Sequence, residues 1–376
     1  MNFIISSSEL SSHLQSISKV ITTKSPLPIL DHFLFQVKDS ILTITASDLE
    51  STLITSIKLN TCEGEGEIAV PARIINESLK EFADQPLTFN FNIESNSVDI
   101  LSENGKFTVP CQSGADFPQL PALKKDQTIS VALSPEILSN GINKTLFATA
   151  DDELRPVMNG IFIEFYENKV IFVASDAHKL VKYTRTDIQS DAESSFIFPK
   201  KPASYLKNIL TKETEPVKIS FDEKNAIFTL SNYKMVCRLV EGNYPSYNSV
   251  IPTENPYKLV ADRLEFFNAL KRVSIFSNQA SQLVKLSITG NLLTISAEDM
   301  DFATAGLERI NCQYTGEPME IGFKSTFLME ILSNLPTPEV KVELSDPTRA
   351  GIILPIDNEN ENEDILMLLM PMMINI

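Results

Sequence analysis

The sequence predicts an α+β protein made of three tandem, similar domains, each with two helices set on a wall of strands. Three observations predict it. First, Ile44-Thr45-Ala46-Ser47-Asp48-Leu49-Glu50 returns as Phe172-Val173-Ala174-Ser175-Asp176-Ala177-His178 and, more weakly, as Ile295-Ser296-Ala297-Glu298-Asp299-Met300. Asp48 and Asp176 lie 128 positions apart, Asp176 and Asp299 lie 123 apart. That period is too long for a solenoid unit and suits a whole small domain. Second, Pro28 and Pro156, and Pro71 and Pro199, repeat the offset of 128. Third, Ala115-Asp116-Phe117-Pro118 and Gly242-Asn243-Tyr244-Pro245 close the first two repeats. Polar stretches at Lys124-Lys125-Asp126 and Thr253-Glu254-Asn255 place the boundaries, giving domains 1–125, 126–253 and 254–376.

Six segments carry helical signals. Ser6-Ser7-Ser8-Glu9 is a capping box opening a helix to about Val20. After Pro71, Ile75, Leu79 and Phe82 recur at helical spacing. Ser134 is an N-cap with Pro135 at the first helical position, and Leu138, Ile142 and Leu146 share a face. The fourth helix follows Pro199 and buries Leu206, Ile209 and Leu210. The fifth runs from about Ala261 to Ser274 with Leu264, Phe267 and Leu270 inward, and the sixth from about Phe323 to Ser333 with Phe327, Leu328, Ile331 and Leu332. The rest reads as strands, including hairpins around Lys38-Asp39-Ser40, Glu167-Asn168 and Gly290-Asn291. Strand and helix runs alternating within each third give the α+β class.

Composition narrows the function. The apolar fraction of 43% lets each third bury a core. No apolar run approaches the roughly 18 residues of a membrane span, and Met1-Asn2-Phe3-Ile4-Ile5 lacks a basic n-region, so a cytoplasmic protein is expected. Cys62, Cys111, Cys237 and Cys312 are scattered, as expected of free, buried thiols. The net charge of −17 alone argues against nucleic acid, yet the charge is sorted. The six expected helices hold eleven cations and seven anions, +4, which leaves −21 on the remainder. If the helices share a surface, it is a basic track on an acidic body, able to attract phosphates without reading bases. Equally, helices favour lysine for its propensity alone.

No Walker loop, nucleophile elbow, metal pattern or dinucleotide turn is present. No cofactor or metal is therefore expected. The acidic run from Asp357 to Asp364 lacks the glycine and spacing of an EF-hand and reads as a solvated loop.

Lys24-Ser25-Pro26-Leu27-Pro28-Ile29-Leu30, Thr45-Ala46-Ser47-Asp48-Leu49-Glu50, Met158-Asn159-Gly160, Ser175-Asp176-Ala177-His178-Lys179-Leu180, Phe276-Ser277-Asn278 and the Met370-Pro371-Met372 ending follow one another in an order and spacing that resembles the bacterial DNA polymerase III beta subunit, the sliding-clamp family. The likeness covers the entire chain. It implies a homodimeric ring of clamp domains with helices lining the hole. Duplex DNA passes through without sequence-specific contact, and the ring tethers the replicative polymerase, the clamp loader and other clamp-binding proteins. It implies no catalysis. The DNA-facing candidates by similarity are Lys24, Arg73, Arg155, Lys200, Lys201 and Arg272. Lys200 and Lys201 stand out because paired cations open a helix where the macrodipole disfavours them.

The resemblance also implies a groove for a short, partly apolar partner peptide. It maps onto Met158, Ser175, Ala177, His178, Lys179, Leu180, Pro245, Ser249, Val250, Leu368, Leu369, Met370, Pro371 and Met372. Methionine is flexible and polarizable, which suits varied partners; the alternative for Met370-Pro371-Met372 is an apolar strand end. His178 reads as a pocket wall. Ala177 stands where the family commonly has glycine, Lys179 and Ser249 where it has arginine, and Met373-Ile374-Asn375-Ile376 replaces a short basic tail. Losing guanidinium groups shifts recognition toward apolar contact. The implied head-to-tail dimer seam maps onto Phe107 and Val109 from one chain and Ile275 and Phe276 from the other. Two rival readings are a scaffold that does not encircle DNA and a β-rich hydrolase using Asp48 and Asp176 as paired carboxylates.

Overall fold

The computed structural model describes residues 1–22, 27–92, 94–119, 121, 123–190, 193–357 and 360–374. All six expected helices form: α1 (Ser7–Ile17), α2 (Ala72–Glu81), α3 (Pro135–Thr145), α4 (Lys200–Leu210), α5 (Arg263–Val273) and α6 (Ser325–Asn334). The starts are those the caps dictate. Ser6 Oγ accepts the Glu9 amide at 3.3 Å, Ser134 Oγ the Ile137 amide at 3.2 Å, and Asp262 Oδ1 the Glu265 amide at 2.7 Å. In α1, Leu10, Leu14 and Ile17 are fully buried, each worth about 1.5–3 kcal/mol of transfer free energy.

Helix α5 departs from the expected face. Leu264 is 57% exposed and Phe267 half-buried, while Phe266, Ala269, Leu270 and Val273 point inward. The reason is continuity. One turn beyond Leu264 and Phe267 the stripe reaches Asn268 and Lys271, whereas the Phe266 stripe stays apolar to the helix end. Within their observed bounds the six helices hold nine cations and six anions, so the excess is +3; Lys19 falls in a 3-10 turn, and Asp262 and Lys324 sit at caps.

The chain forms two compact units, residues 1–139 with 201–239 and residues 140–200 with 240–376. The first holds an antiparallel nine-stranded sheet. Its order is Gln112–Ser113, Gly66–Pro71, His32–Lys38, Ile41–Ser47, Ser51–Lys58, Tyr233–Arg238, Asn225–Thr229, Val217–Phe221, Ile129–Leu133. The second holds another: Ser194–Pro199, Gly160–Tyr166, Lys169–Ser175, Lys179–Arg185, Glu363–Leu369, Gly351–Pro355, Glu339–Leu344, Tyr257–Asp262, Gln313–Thr315. The second repeat therefore gives strands to both sheets, and compact units and sequence repeats do not coincide. At each join the third strand of one repeat's front sheet pairs with the last strand of the next repeat: Ser51–Lys58 with Tyr233–Arg238, and Lys179–Arg185 with Glu363–Leu369. A five-stranded sheet remains in the first unit, ending at Lys106–Pro110, and a four-stranded sheet in the second, ending at Thr304–Asn311.

Candidate functional site

The repeated Ser-Asp motif is a tight connection between two strands. In the second repeat Asp176 Oδ1 accepts the amides of His178 (2.9 Å) and Lys179 (2.8 Å), and Ser175 Oγ donates to the Lys179 carbonyl at 2.9 Å. Ala177 takes φ +74° at the tip, a left-handed conformation that costs an alanine about 1 kcal/mol or more. Asp48 does the same in the first repeat, accepting the amides of Glu50 (3.1 Å) and Ser51 (2.7 Å) around Leu49 at φ +77°. Both carboxylates are occupied by backbone donors, so the hydrolase reading has no free carboxylate pair at these positions.

Strand pairing brings the groove together. Leu180 lies opposite Leu368, and both are buried in one cluster with Ile171, Val173, Tyr247 and Ala350. Beyond the strand end the Met370 amide donates to the His178 carbonyl at 2.8 Å, which seats the tail against the Ser175–Lys179 turn. Met372 then bridges to Gly322, donating to its carbonyl at 2.8 Å. A Cβ on Gly322 would lie 2.8 Å from the Met372 carbonyl oxygen, so this approach requires glycine. Beside these segments opens a groove of about 710 Å³ lined by Asn248, Ser249, Val250, Ile251, Pro252, Thr253, Glu254, Thr348, Arg349, Ala350 and Met370. Val250 is 55% and Met370 42% exposed, an apolar rim free for a partner. Ser249 is spoken for, its hydroxyl donating to the Ser246 carbonyl at 2.6 Å.

Of the expected groove residues, Ser249, Val250 and Met370 line this opening directly. Ser175, Ala177 and His178 form the adjoining turn, with Ala177 and His178 exposed; Pro245 is exposed and Pro371 and Met372 half-buried. Leu180, Leu368 and Leu369 are buried and do not line the opening. Met158 ends a 3-10 turn whose carbonyl accepts the Ala150 amide at 2.9 Å. Lys179 corrects its expected place: it is 4% exposed, with Nζ 2.8 Å from Asp176 and 3.1 Å from Glu330 on α6. Sequence reasoning missed Asn248, Ile251, Pro252, Thr253, Glu254, Thr348, Arg349 and Ala350 as groove residues, and Phe327 and Glu330 beside the adjoining turn. Of these only Phe327 gave a signal, as an apolar residue on α6.

Lys24 lies outside the described residues. Four of the other expected DNA-facing cations are paired: Arg73 with Glu77 (2.9 Å), Arg155 with Asp152 (2.8 Å), Lys200 with Asp151 (2.5 Å), and Arg272 with Glu308. The Arg155 hydrogen bond holds the Asp152 carboxyl below its ordinary range, and Arg272 does the same to Glu308. Lys201, exposed at the start of α4, has no carboxylate partner among the described residues. Exposed pairs of this kind contribute little to stability and are screened by salt.

Phe107 is 45% exposed on the edge strand Lys106–Pro110 and packs edge-to-face on Phe82, ring centroids 5.4 Å apart. Val109, the other residue mapped to that side of the seam, is 5% exposed; it pairs with Val98 and packs in the core. Ile275 is 77% and Phe276 39% exposed on the 3-10 turn after α5. Phe276 lies across Gly306 of the edge strand Thr304–Asn311, where a Cβ would come within 2.7 Å of its ring.

The four cysteines are free, and burial pushes the Cys111 thiol up to about 12. Cys237 and Cys312 are buried as expected, but Cys62 and Cys111 are only half-buried. No cluster of metal-ligating side chains occurs among the described residues, and no helix among them is long and apolar enough to cross a membrane.

Three family profiles match the chain in order: the N-terminal domain of the DNA polymerase III beta subunit over residues 1–121, its central domain over 132–246 and its C-terminal domain over 248–373. The beta sliding clamp of Pseudomonas aeruginosa is 28% identical over 373 residues, covering 99% of this chain and 100% of that protein. The beta sliding clamp of Haemophilus influenzae is 29% identical over 94% of this chain and 95% of its own length. The crystal structure of the Pseudomonas aeruginosa DNA polymerase III subunit beta superposes with a TM-score of 0.93 at 26% identity, covering all of both chains.

Proposed function

Because this chain belongs to the DNA polymerase III beta subunit family, we propose a division of labour among its parts. The protein is a sliding clamp, a non-catalytic processivity factor that encircles duplex DNA and tethers DNA polymerase III and other clamp-binding proteins. Its finer assignments are three clamp domains at 1–125, 126–253 and 254–376, a head-to-tail homodimer, and cytoplasmic action.

One observation carries the dimer. At both intrachain joins the same two strand types of neighbouring repeats pair to complete a nine-stranded sheet. The two strands left over, Thr304–Asn311 and Lys106–Pro110, are those same two types, on sheets of four and five strands. Pairing them between two copies repeats the join and completes nine strands again. It also removes two open edges that would otherwise invite aggregation. Phe107, Ile275 and Phe276 flank these edges as an apolar seam, and Val109 backs the edge strand from the core side.

The cations Arg73, Arg155, Lys200, Lys201 and Arg272, with Lys24, serve as phosphate contacts. Most already hold a carboxylate, so a phosphate replaces an existing weak pair and leaves as easily. Enclosure then provides retention while loose contacts permit sliding. The groove beside Val250 and Met370 takes the apolar anchors of partner peptides.

Loading onto nicked circular plasmid tests the reading. Retained protein should be released when the plasmid is linearised, whereas a scaffold or ordinary binder gives no such difference. Phe107→Asp should convert dimer to monomer in sedimentation equilibrium; a dimer that survives it places the seam elsewhere.

A further inference from the structure

We infer that Lys179 is a positioning residue: its buried ammonium ties the Ser175–Lys179 turn beside the partner-peptide groove to helix α6 through Glu330 and Phe327, and does not itself meet the partner. The inference rests on the groove reading above. The Lys179 side chain is 5% exposed, so a peptide cannot reach its charge. Its Nζ lies 2.8 Å from Asp176 Oδ2, 3.1 Å from Glu330 Oε2 and 4.2 Å from the centre of the Phe327 ring. A buried ammonium is tolerated only when it is paired, and here three groups on two elements complete the pairing. Phe327 also carries the His178 ring at 5.8 Å and the Lys324 ammonium at 4.7 Å.

The consequence follows from connectivity. Asp176 binds Lys179 with one oxygen and the amides of His178 and Lys179 with the other. The His178 carbonyl accepts the Met370 amide. Helix and turn are thus linked through one lysine, and the turn then seats Met370 of the groove rim before a partner arrives. A pre-ordered rim raises affinity by lowering the ordering cost on binding.

Glu330 does not line the groove, so its effect on a peptide must pass through Lys179. The test measures, by fluorescence anisotropy, binding of a fluorescein-labelled synthetic peptide with leucine and phenylalanine anchors to the full-length protein. Glu330→Gln and Lys179→Met should each weaken binding about fivefold to twentyfold, and the double variant should lose no more than Lys179→Met alone. Lys179→Arg should recover most of the affinity, and Glu330→Gln should melt within a few degrees of the parent. Wild-type affinity in Glu330→Gln, or losses that multiply in the double variant, overturns the inference. Glu330→Gln decides the matter even if Lys179→Met fails to fold. Val250→Glu separates the two readings. If it abolishes binding while Glu330→Gln has no effect, only this inference falls; if it leaves binding intact, the groove assignment falls with it.

Discussion

The turn at Ser47–Ser51 and the turn at Ser175–Lys179 have the same construction and different surroundings. Each has an aspartate accepting two backbone amides, a serine hydroxyl donating to the carbonyl four residues on (3.3 Å in the first, 2.9 Å in the second), and a non-glycine tip with φ near +75°. In the first repeat the last position of the turn is Ser51, a buried short side chain. In the second it is Lys179, which reaches α6, and the C-terminal segment lies alongside. The shared motif belongs to the fold. What differs is the setting: around the second copy stand a longer side chain and a tail that closes on it, and there the proposed groove lies.

The comparison can be broken most severely at the tail. Deleting Met370 to Ile376 should abolish partner-peptide binding, by about 100-fold or more in anisotropy titrations, yet leave the dimer intact in sedimentation. No change at the first-repeat turn should approach this. A smaller contrast comes from removing the two carboxylates in turn. Asp48→Ala and Asp176→Ala should each cost about 1–3 kcal/mol in urea unfolding, because each orphans two amides, but only Asp176→Ala should weaken the peptide, by roughly tenfold. Equal peptide affinities in the two variants would mean that the second turn has no special role. Smaller again, Leu49→Gly and Ala177→Gly should each change stability by less than about 1 kcal/mol, since relief of the left-handed tip is offset by unfolded-state entropy. A large loss from either would show side-chain packing at the tip instead.

The smallest effect distinguishes the joins to which the turns lead. In the first unit, His13 lies 2.5 Å from Thr55 Oγ1 and stacks on Tyr233. Burial lowers its pKa, opposed by Glu9 and assisted by Lys212. A histidine depressed in the folded state contributes stability that is whole above its unfolded pKa, about 6.5, and is lost as pH falls through the folded value. The second join is held instead by Arg185, whose guanidinium binds Asp187 at 2.7 and 2.9 Å and lies 3.8 Å from Glu363. Thermal stability should therefore decline between pH 7 and pH 5, and His13→Gln should flatten that slope in calorimetric scans. An unchanged slope would assign it to other groups, His32 among them, which burial also depresses.

The sequence by itself determined the three repeats, all six helices, the Ser6 and Ser134 caps, and the α+β class, because caps, periodicity and a period of about 125 residues are local or self-comparing signals. It also named the groove's Ser249, Val250 and Met370. Tertiary structure alone decided which apolar stripe of α5 faces inward, that Val109 is core, and that repeats and compact units differ. It alone brought Thr348 and Arg349 into the groove and turned Lys179 away from it toward Glu330. Those outcomes depend on which strands pair across repeats and on where a long side chain finds a countercharge, and both are set by contacts between segments far apart in the chain, which no local pattern encodes.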